Sequence, residues 1–291
     1  MLKIFIFTKK IRENTNYRIK QFYLVRLVHN FMSSHIFSHL KRNFANVQGH
    51  KMFLDPKDCL CLSIYGVYQP LETALLKREI KRGDVVLDIG ANIGYYTLIF
   101  AKLVGTEGKV FAFEPEPTNF ALLAKNLRIN GYTNVVLVQK AVSDKTGKLK
   151  LYLHDAPTHS IHNRYDARAS IEIEATRLDD YFKHYDRKIS FIKIDVAGAE
   201  PTVLLGMSNL LKKNRDVKIM TEFWPGGMKI GEKPEAFLES LSGHGFKLYH
   251  IDNEKMKVEL VTITDVLNIY TAEKRNHTNL LCVRQSLLKL F

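Results

Sequence analysis

Cysteine is scarce in this chain, with three among 291 residues, at Cys59, Cys61 and Cys282. Three cysteines cannot build a disulfide framework, and no C-x-x-C pair or Cys/His spacing suited to zinc occurs. The reading is free thiols in a reducing compartment. Long apolar runs are also missing: no segment approaches the ~20 residues that a membrane-spanning helix needs. The opening MLKIFIF is too short for the apolar region of a secretion signal and has no small-residue cleavage site. The expected location is therefore the cytoplasm. No internal repeat and no low-complexity tract is found. What remains is a composition ordinary for a globular chain, 46% hydrophobic and 25% charged.

Acidic residues are outnumbered, 30 against 43 basic ones, for a net charge of +13. The deficit is local. Residues 1–45 hold nine Lys or Arg and a single acid, Glu13, which accounts for +8 of the total. The same stretch lacks Gly and Pro, and after Phe22 apolar residues recur at Leu24, Leu27, Val28, Phe31 and Met32, close to helical spacing. A basic amphipathic helix of this kind lies on an anionic membrane surface or docks on its own domain or a twin subunit. No recognisable nucleic-acid-binding module accompanies the charge, so no nucleic acid partner is expected. The division expected is a basic segment, 1–48, and a catalytic domain, 49–291.

Within that domain, strand and helix patterns alternate. A helix is predicted from Pro70, with Leu71, Ala74, Leu75 and Ile80 on one side and Gly83 after it. Strand Val85–Ile89 leads to helix Tyr95–Val104 and strand Lys109–Glu114 to a helix opening at Pro117, with Phe120, Leu123, Ala124 and Leu127 on its apolar face. Strand Val135–Lys140 follows. This βαβαβ series demands a parallel sheet with right-handed crossovers. Two strictly alternating stretches, 147–153 and 171–177, read as a half-exposed hairpin around a polar loop, 154–170, carrying His154, His159, His162, Arg164 and Arg168. Strand Ser190–Asp195, helix Glu200–Lys213, strand Val217–Glu222, a helix from Pro234, strand Lys247–Ile251 and strand Asn279–Arg284 complete the pattern. Residues 252–278 read as a variable loop.

The chemistry concentrates in DVVLDIGANIGYY, Asp84 to Tyr96. A buried strand ends in Asp88, Gly90 and Gly94 bracket a tight turn, and a helix begins at once. In open α/β sheets such a turn sits where ligands bind. Glycines there admit close approach to backbone, and helix N–H groups welcome a carboxylate or phosphate. Asp88 stands where dinucleotide-binding turns usually carry an apolar residue, and Asn92 adds an amide. Twenty-four residues beyond Gly90, Glu114 ends the next strand, a position from which a carboxylate accepts bonds from ribose hydroxyls.

DIGANIGYYTL, VFAFEPEP, TRLDDYF, FIKIDVAGAE and MTEFWP, in this order, resemble the FkbM family of S-adenosylmethionine-dependent methyltransferases, from about His50 to Arg284. The resemblance implies the class I methyltransferase (Rossmann-like) fold, an α/β seven-stranded sheet, mostly parallel, with an antiparallel last strand and helices on both faces. It implies S-adenosylmethionine held by Asp88, Gly90, Asn92, Gly94 and Glu114, with Lys140 and Ala141 beside the adenine. It also implies methylation of hydroxyls, often on saccharides or natural products. One departure stands out: Ala197 occupies a place where the family commonly has Glu.

A sulfonium methyl is already electrophilic, so alignment of the acceptor and exclusion of water are the main tasks. A sugar hydroxyl also needs a base or a divalent metal. Asp195, at a strand's carboxyl end, is the first candidate base, followed by His159 and His162. The other readings are a nucleotide-binding oxidoreductase, a methyltransferase acting on nucleic acid or protein, and a binding module without activity.

Overall fold

The computed structural model describes residues 43–154, 159–162, 167–228, 233–271 and 277–285. The predicted N-terminal helix and Arg164 lie outside the described residues. Strands β1 (Phe44–Val47) and β2 (His50–Phe53) form an antiparallel hairpin, so strand pairing begins ahead of the domain boundary expected at 48. Helix α1 (Pro70–Glu79) buries Leu71, Glu72, Thr73, Leu75 and Leu76, whereas Ala74 is exposed.

The series that follows builds the sheet. Strand β3 (Val85–Ile89) is buried along its whole length, as a central parallel strand covered on both faces must be. Helix α2 (Tyr95–Val104) returns the chain to β4 (Lys109–Phe113). Helix α3 (Pro117–Ile129) starts with Pro at its first position, and the Glu116 side chain accepts the Asn119 N–H at 2.6 Å, a side-chain N-cap. Leu123 and Leu127 are buried as expected, while Phe120 and Ala124 are half-buried. Strand β5 (Val135–Val138) ends earlier than predicted. After Lys140 the chain leaves the main sheet, and β6 (Ala141–Val142) joins β7 (Gly147–Leu153) and β8 (Ala169–Thr176) in a separate three-stranded sheet. The antiparallel pairing of β7 with β8 is the predicted hairpin.

Strand β9 (Phe191–Ile194) follows, but the single helix expected over Glu200–Lys213 is two: α4 (Glu200–Leu205) and α5 (Ser208–Lys213). The cause is packing at Gly206, where any Cβ would collide with the Ser143 carbonyl oxygen. Asp179 then caps the second helix, accepting the N–H groups of Asn209 and Leu210 at 3.2 and 2.8 Å. Strand β10 (Lys218–Phe223), helix α6 (Pro234–Gly243) and strand β11 (Lys247–Asp252) come next. The stretch read as a loop, 252–278, instead holds strand β12 (Lys257–Val261) and helix α7 (Ile263–Ile269). The last strand is β13 (Thr278–Val283).

The main sheet runs β12-β11-β13-β10-β9-β3-β4-β5. Strands β10, β9, β3, β4 and β5 are parallel, and β13 inserts antiparallel between β10 and β11. The expected seven strands are present, with β12 added at one edge. Alternation divides the core: Val85, Leu87 and Ile89 pack into one apolar layer, while Val86 faces the other, with Leu98 and Phe100 of α2. Among the described residues no helix is long and apolar enough to cross a membrane, and no disulfide joins the three cysteines.

Candidate functional site

Strand order reverses at β3: β4 follows it on one side, and β9, much later in sequence, lies on the other. The crevice beyond the carboxyl ends of β3 and β9 is a topological switch point, where open α/β sheets bind ligands. A cavity of about 440 Å³ opens there, within the range of small-molecule sites, roughly 300–1,000 Å³.

The glycine turn forms one wall, and its backbone is already satisfied by protein. Gly90 and Ala91 donate to the Phe113 carbonyl oxygen at 3.0 Å, Asn92 N–H to Glu114 Oε2 at 2.8 Å, and Ile93 N–H to Asn92 Oδ1 at 2.7 Å. Gly90 has φ +77° and a Cβ there would collide with the Asp195 carbonyl oxygen; Gly94 has φ +94° and its Cβ would stand 2.6 Å from Leu123 Cδ1. Both glycines are therefore demanded by the protein's own packing. Gly90 and Asn92 line the cavity, whereas Gly94 begins α2 behind it.

Asp88 does not line the cavity. It is fully buried beneath the turn, accepts a 2.5 Å hydrogen bond from Thr97 Oγ1 of α2, and lies 3.7 Å from Lys193 Nζ. Burial pushes its carboxyl above the ordinary value. Glu114 does line the cavity. Its two oxygens accept the N–H groups of Asn92 and Glu116 at 2.8 and 2.9 Å. Burial nonetheless outweighs those bonds and raises its pKa to about 7. Lys140 and Ala141 line the far side, with Lys140 paired to Glu174 at 2.9 Å on the outer edge.

Across the cavity stand Lys193, Asp195, Glu222, Trp224 and Tyr68. Lys193 of β9 is the register partner of Asp88 on β3, and its ammonium is also 3.4 Å from Asp195 Oδ2 and 5.0 Å from the centre of the Tyr96 ring. Burial works against that ammonium, but Asp195 and Asp88 overcome it and hold the pKa above the ordinary lysine value. The sequence reading passed over Lys193. Its signal was a lysine inside an otherwise apolar strand, FIKI, at a position buried on the same face as Asp195. The Tyr68 hydroxyl is driven up by burial and by Asp195 and Glu222, which it faces.

His159 lines the cavity, and its Nδ1 accepts the His154 N–H at 3.2 Å; burial holds its pKa below the ordinary value. His162 does not line it. The loop carrying both is tied to the end of β9 by Ser160 Oγ, which donates to the Ala197 carbonyl oxygen at 3.0 Å. Glu200 braces the same stretch from below, Oε1 accepting the N–H groups of Val196 at 2.9 Å and Gly198 at 3.3 Å. Among the described residues, one grouping has metal-ligand proximity, His250, Asp252 and Glu259. None of the three lines the cavity.

A mostly parallel sheet with one antiparallel strand inserted near its edge, a glycine turn after the central strand and an acid ending the next define a class I S-adenosylmethionine-dependent methyltransferase. The chain belongs to the FkbM methyltransferase family, since residues 88–248 match the Methyltransferase FkbM domain. It is 38% identical over 203 residues to the 31-O-demethyl-FK506 methyltransferase FkbM of Streptomyces tacrolimicus, covering 58% of this chain and 74% of that one. It is 31% identical over 140 residues to the hexuronic acid methyltransferase AglP of Haloferax volcanii, covering 47% of this chain and 56%, little more than half, of the relative. Among solved structures it is similar to a Methyltransferase FkbM from Methylobacillus flagellatus, with 16% identity and a TM-score of 0.42, over 70% of this chain and 44% of the other.

Proposed function

We propose that this methyltransferase transfers the methyl group of S-adenosylmethionine to a hydroxyl of a saccharide or a related small metabolite. The observation that carries the reading is the one cavity lined by both Glu114, fixed by two backbone N–H groups, and Asp195, held beside Lys193. In this reading Glu114 accepts the ribose hydroxyls through its remaining lone pairs. Gly90 and Asn92 flank the methionine portion, and Lys140 and Ala141 flank the adenine. Asp88 and Gly94 act from behind the wall, as supports of the turn. The cofactor, when bound, supplies an electrophilic methyl on a sulfonium.

The chain's own side chains then have three tasks. Tyr68 and Trp224 offer flat apolar faces, which suit the C–H face of a sugar ring. Asp195 accepts the proton of the attacking hydroxyl, and His159, whose lowered pKa keeps it neutral at pH 7, is the second acceptor. The aromatic walls exclude water from the reacting oxygen. The names of two relatives, for a hexuronic acid and for 31-O-demethyl-FK506, favour a small-molecule acceptor over a nucleic acid.

Calorimetric titration with S-adenosylmethionine and with NAD tests the cofactor, and transfer of labelled methyl into a panel of monosaccharides and glycosides tests the acceptor. Micromolar binding of S-adenosylmethionine, no binding of NAD and label in a saccharide are the expected results. Tight NAD binding, or none by S-adenosylmethionine, overturns the reading.

A further inference from the structure

Lys193 is buried in a strand whose other residues, Phe191, Ile192 and Ile194, are apolar, and nothing in the proposed reaction requires a cation there. Alternation along β9 puts Phe191, Lys193 and Asp195 on the face where β3 presents Val86 and Asp88. The ammonium therefore lies between two carboxylates, 3.7 Å from Asp88 Oδ1 beneath the turn and 3.4 Å from Asp195 Oδ2 at the cavity wall. A buried cation between two acids is expensive to desolvate and persists only where its charge is matched. Lys193 also lines the cavity, so its charge is felt by whatever binds.

We propose that Lys193 sets the charge of the cofactor site, so that the site discriminates only weakly between cationic S-adenosylmethionine and its uncharged-sulfur product, S-adenosylhomocysteine. This rests on the cofactor reading above and deepens it. Without Lys193, Asp195 and Asp88 would attract the sulfonium and deepen the ground state, because the sulfur's positive charge fades as the methyl leaves. Binding that is stronger before the transition state than in it slows transfer. The ammonium offsets part of that attraction while keeping Asp195 oriented toward the cavity.

The test compares affinities for the two ligands by calorimetry, in wild type, Lys193→Arg and Lys193→Gln. Because the Gln variant leaves Asp88 without its counter-charge and is at risk of misfolding, the same substitution is also made in an Asp88→Asn background. One unit of charge a few ångströms beyond contact, at a partly screened site, changes the preference by about fivefold. The expected result is a shift of that size toward S-adenosylmethionine on Lys193→Gln in both backgrounds, and a change within about twofold on Lys193→Arg. If both ligands weaken equally and the ratio stays put, Lys193 is only structural and the proposal fails. If wild type binds neither ligand, the cofactor reading itself fails, a separate outcome.

Discussion

Glu114 accepts the backbone N–H of Asn92 at 2.8 Å, so the acid that ends one strand holds the turn that ends its neighbour. The cavity-lining carboxylate and the glycine turn are thus one mechanical unit. With a pKa raised to about 7 by burial, Glu114 is half-protonated near neutrality. Ribose hydroxyls donate to the ionised form, so S-adenosylmethionine affinity is expected to rise between pH 6 and 8. Calorimetry across that range should show it, together with an observed enthalpy that depends on the buffer's ionisation heat, the sign of a proton released on binding. In Glu114→Gln the affinity should fall about tenfold and the pH dependence should vanish.

The two glycines of the turn make different demands. At Gly90 the obstacle to a Cβ is backbone, the Asp195 carbonyl; at Gly94 it is the end of a leucine side chain. Both have positive φ, which costs a non-glycine residue about 1–2 kcal/mol before any clash. Gly94→Ala should therefore fold with reduced stability, and Gly90→Ala should lose more, on the order of 3 kcal/mol or fail to fold. Urea unfolding followed by circular dichroism ranks them; equal losses would count against this account.

The strand–turn–helix core was readable because its signals are local. Val85–Ile89 is uniformly apolar up to Asp88, Gly94 starts a helix and Pro117 another. Legibility stopped where long-range contacts decide. Gly206 breaks a helix because Ser143, sixty-three residues earlier, sits against it, and Ala74 lost its expected burial to Leu76 and Glu72. Strand β12 was missed because an edge strand with Lys257 and Glu259 carries a weak apolar pattern. Helix α7 did carry a signal, the reciprocal Thr262/Asp265 capping box. At the cavity, Glu114 and Asp195 were nominated from strand ends, but that Asp88 lies beneath the turn, with Lys193 between it and Asp195, required strand register.

Ala197 holds φ +52°, a left-handed conformation, one residue before Gly198. Its carbonyl oxygen accepts the Ser160 hydroxyl, which keeps that conformation in place. Ala197→Gly removes the steric cost and adds some unfolded-state entropy, for a net gain of about 0.5–1 kcal/mol. A melting temperature higher by a few degrees checks it, and a decrease would mean that Ala197 has a packing role of its own.

Glu200 provides the clearest pH-dependent stability outside the cavity wall. Burial raises its pKa from 4.5 to about 7, against the opposing effect of the Val196 N–H. Such a carboxyl binds its proton more tightly when folded than unfolded. Between pH 4.5 and about 7 the folded chain therefore holds a proton that the unfolded chain has lost, and this contribution to stability falls as pH rises through that window. The loss totals on the order of 3 kcal/mol from this group once pH exceeds 7. Glu114, and Asp88 beneath the turn, shift the same way in the absence of cofactor, so Glu200→Gln should make the decline shallower and Glu200→Gln with Glu114→Gln shallower still. Denaturant midpoints measured from pH 4.5 to 8 give the slope directly. A slope unchanged in the double variant would show that neither carboxyl is buried as the structure places it.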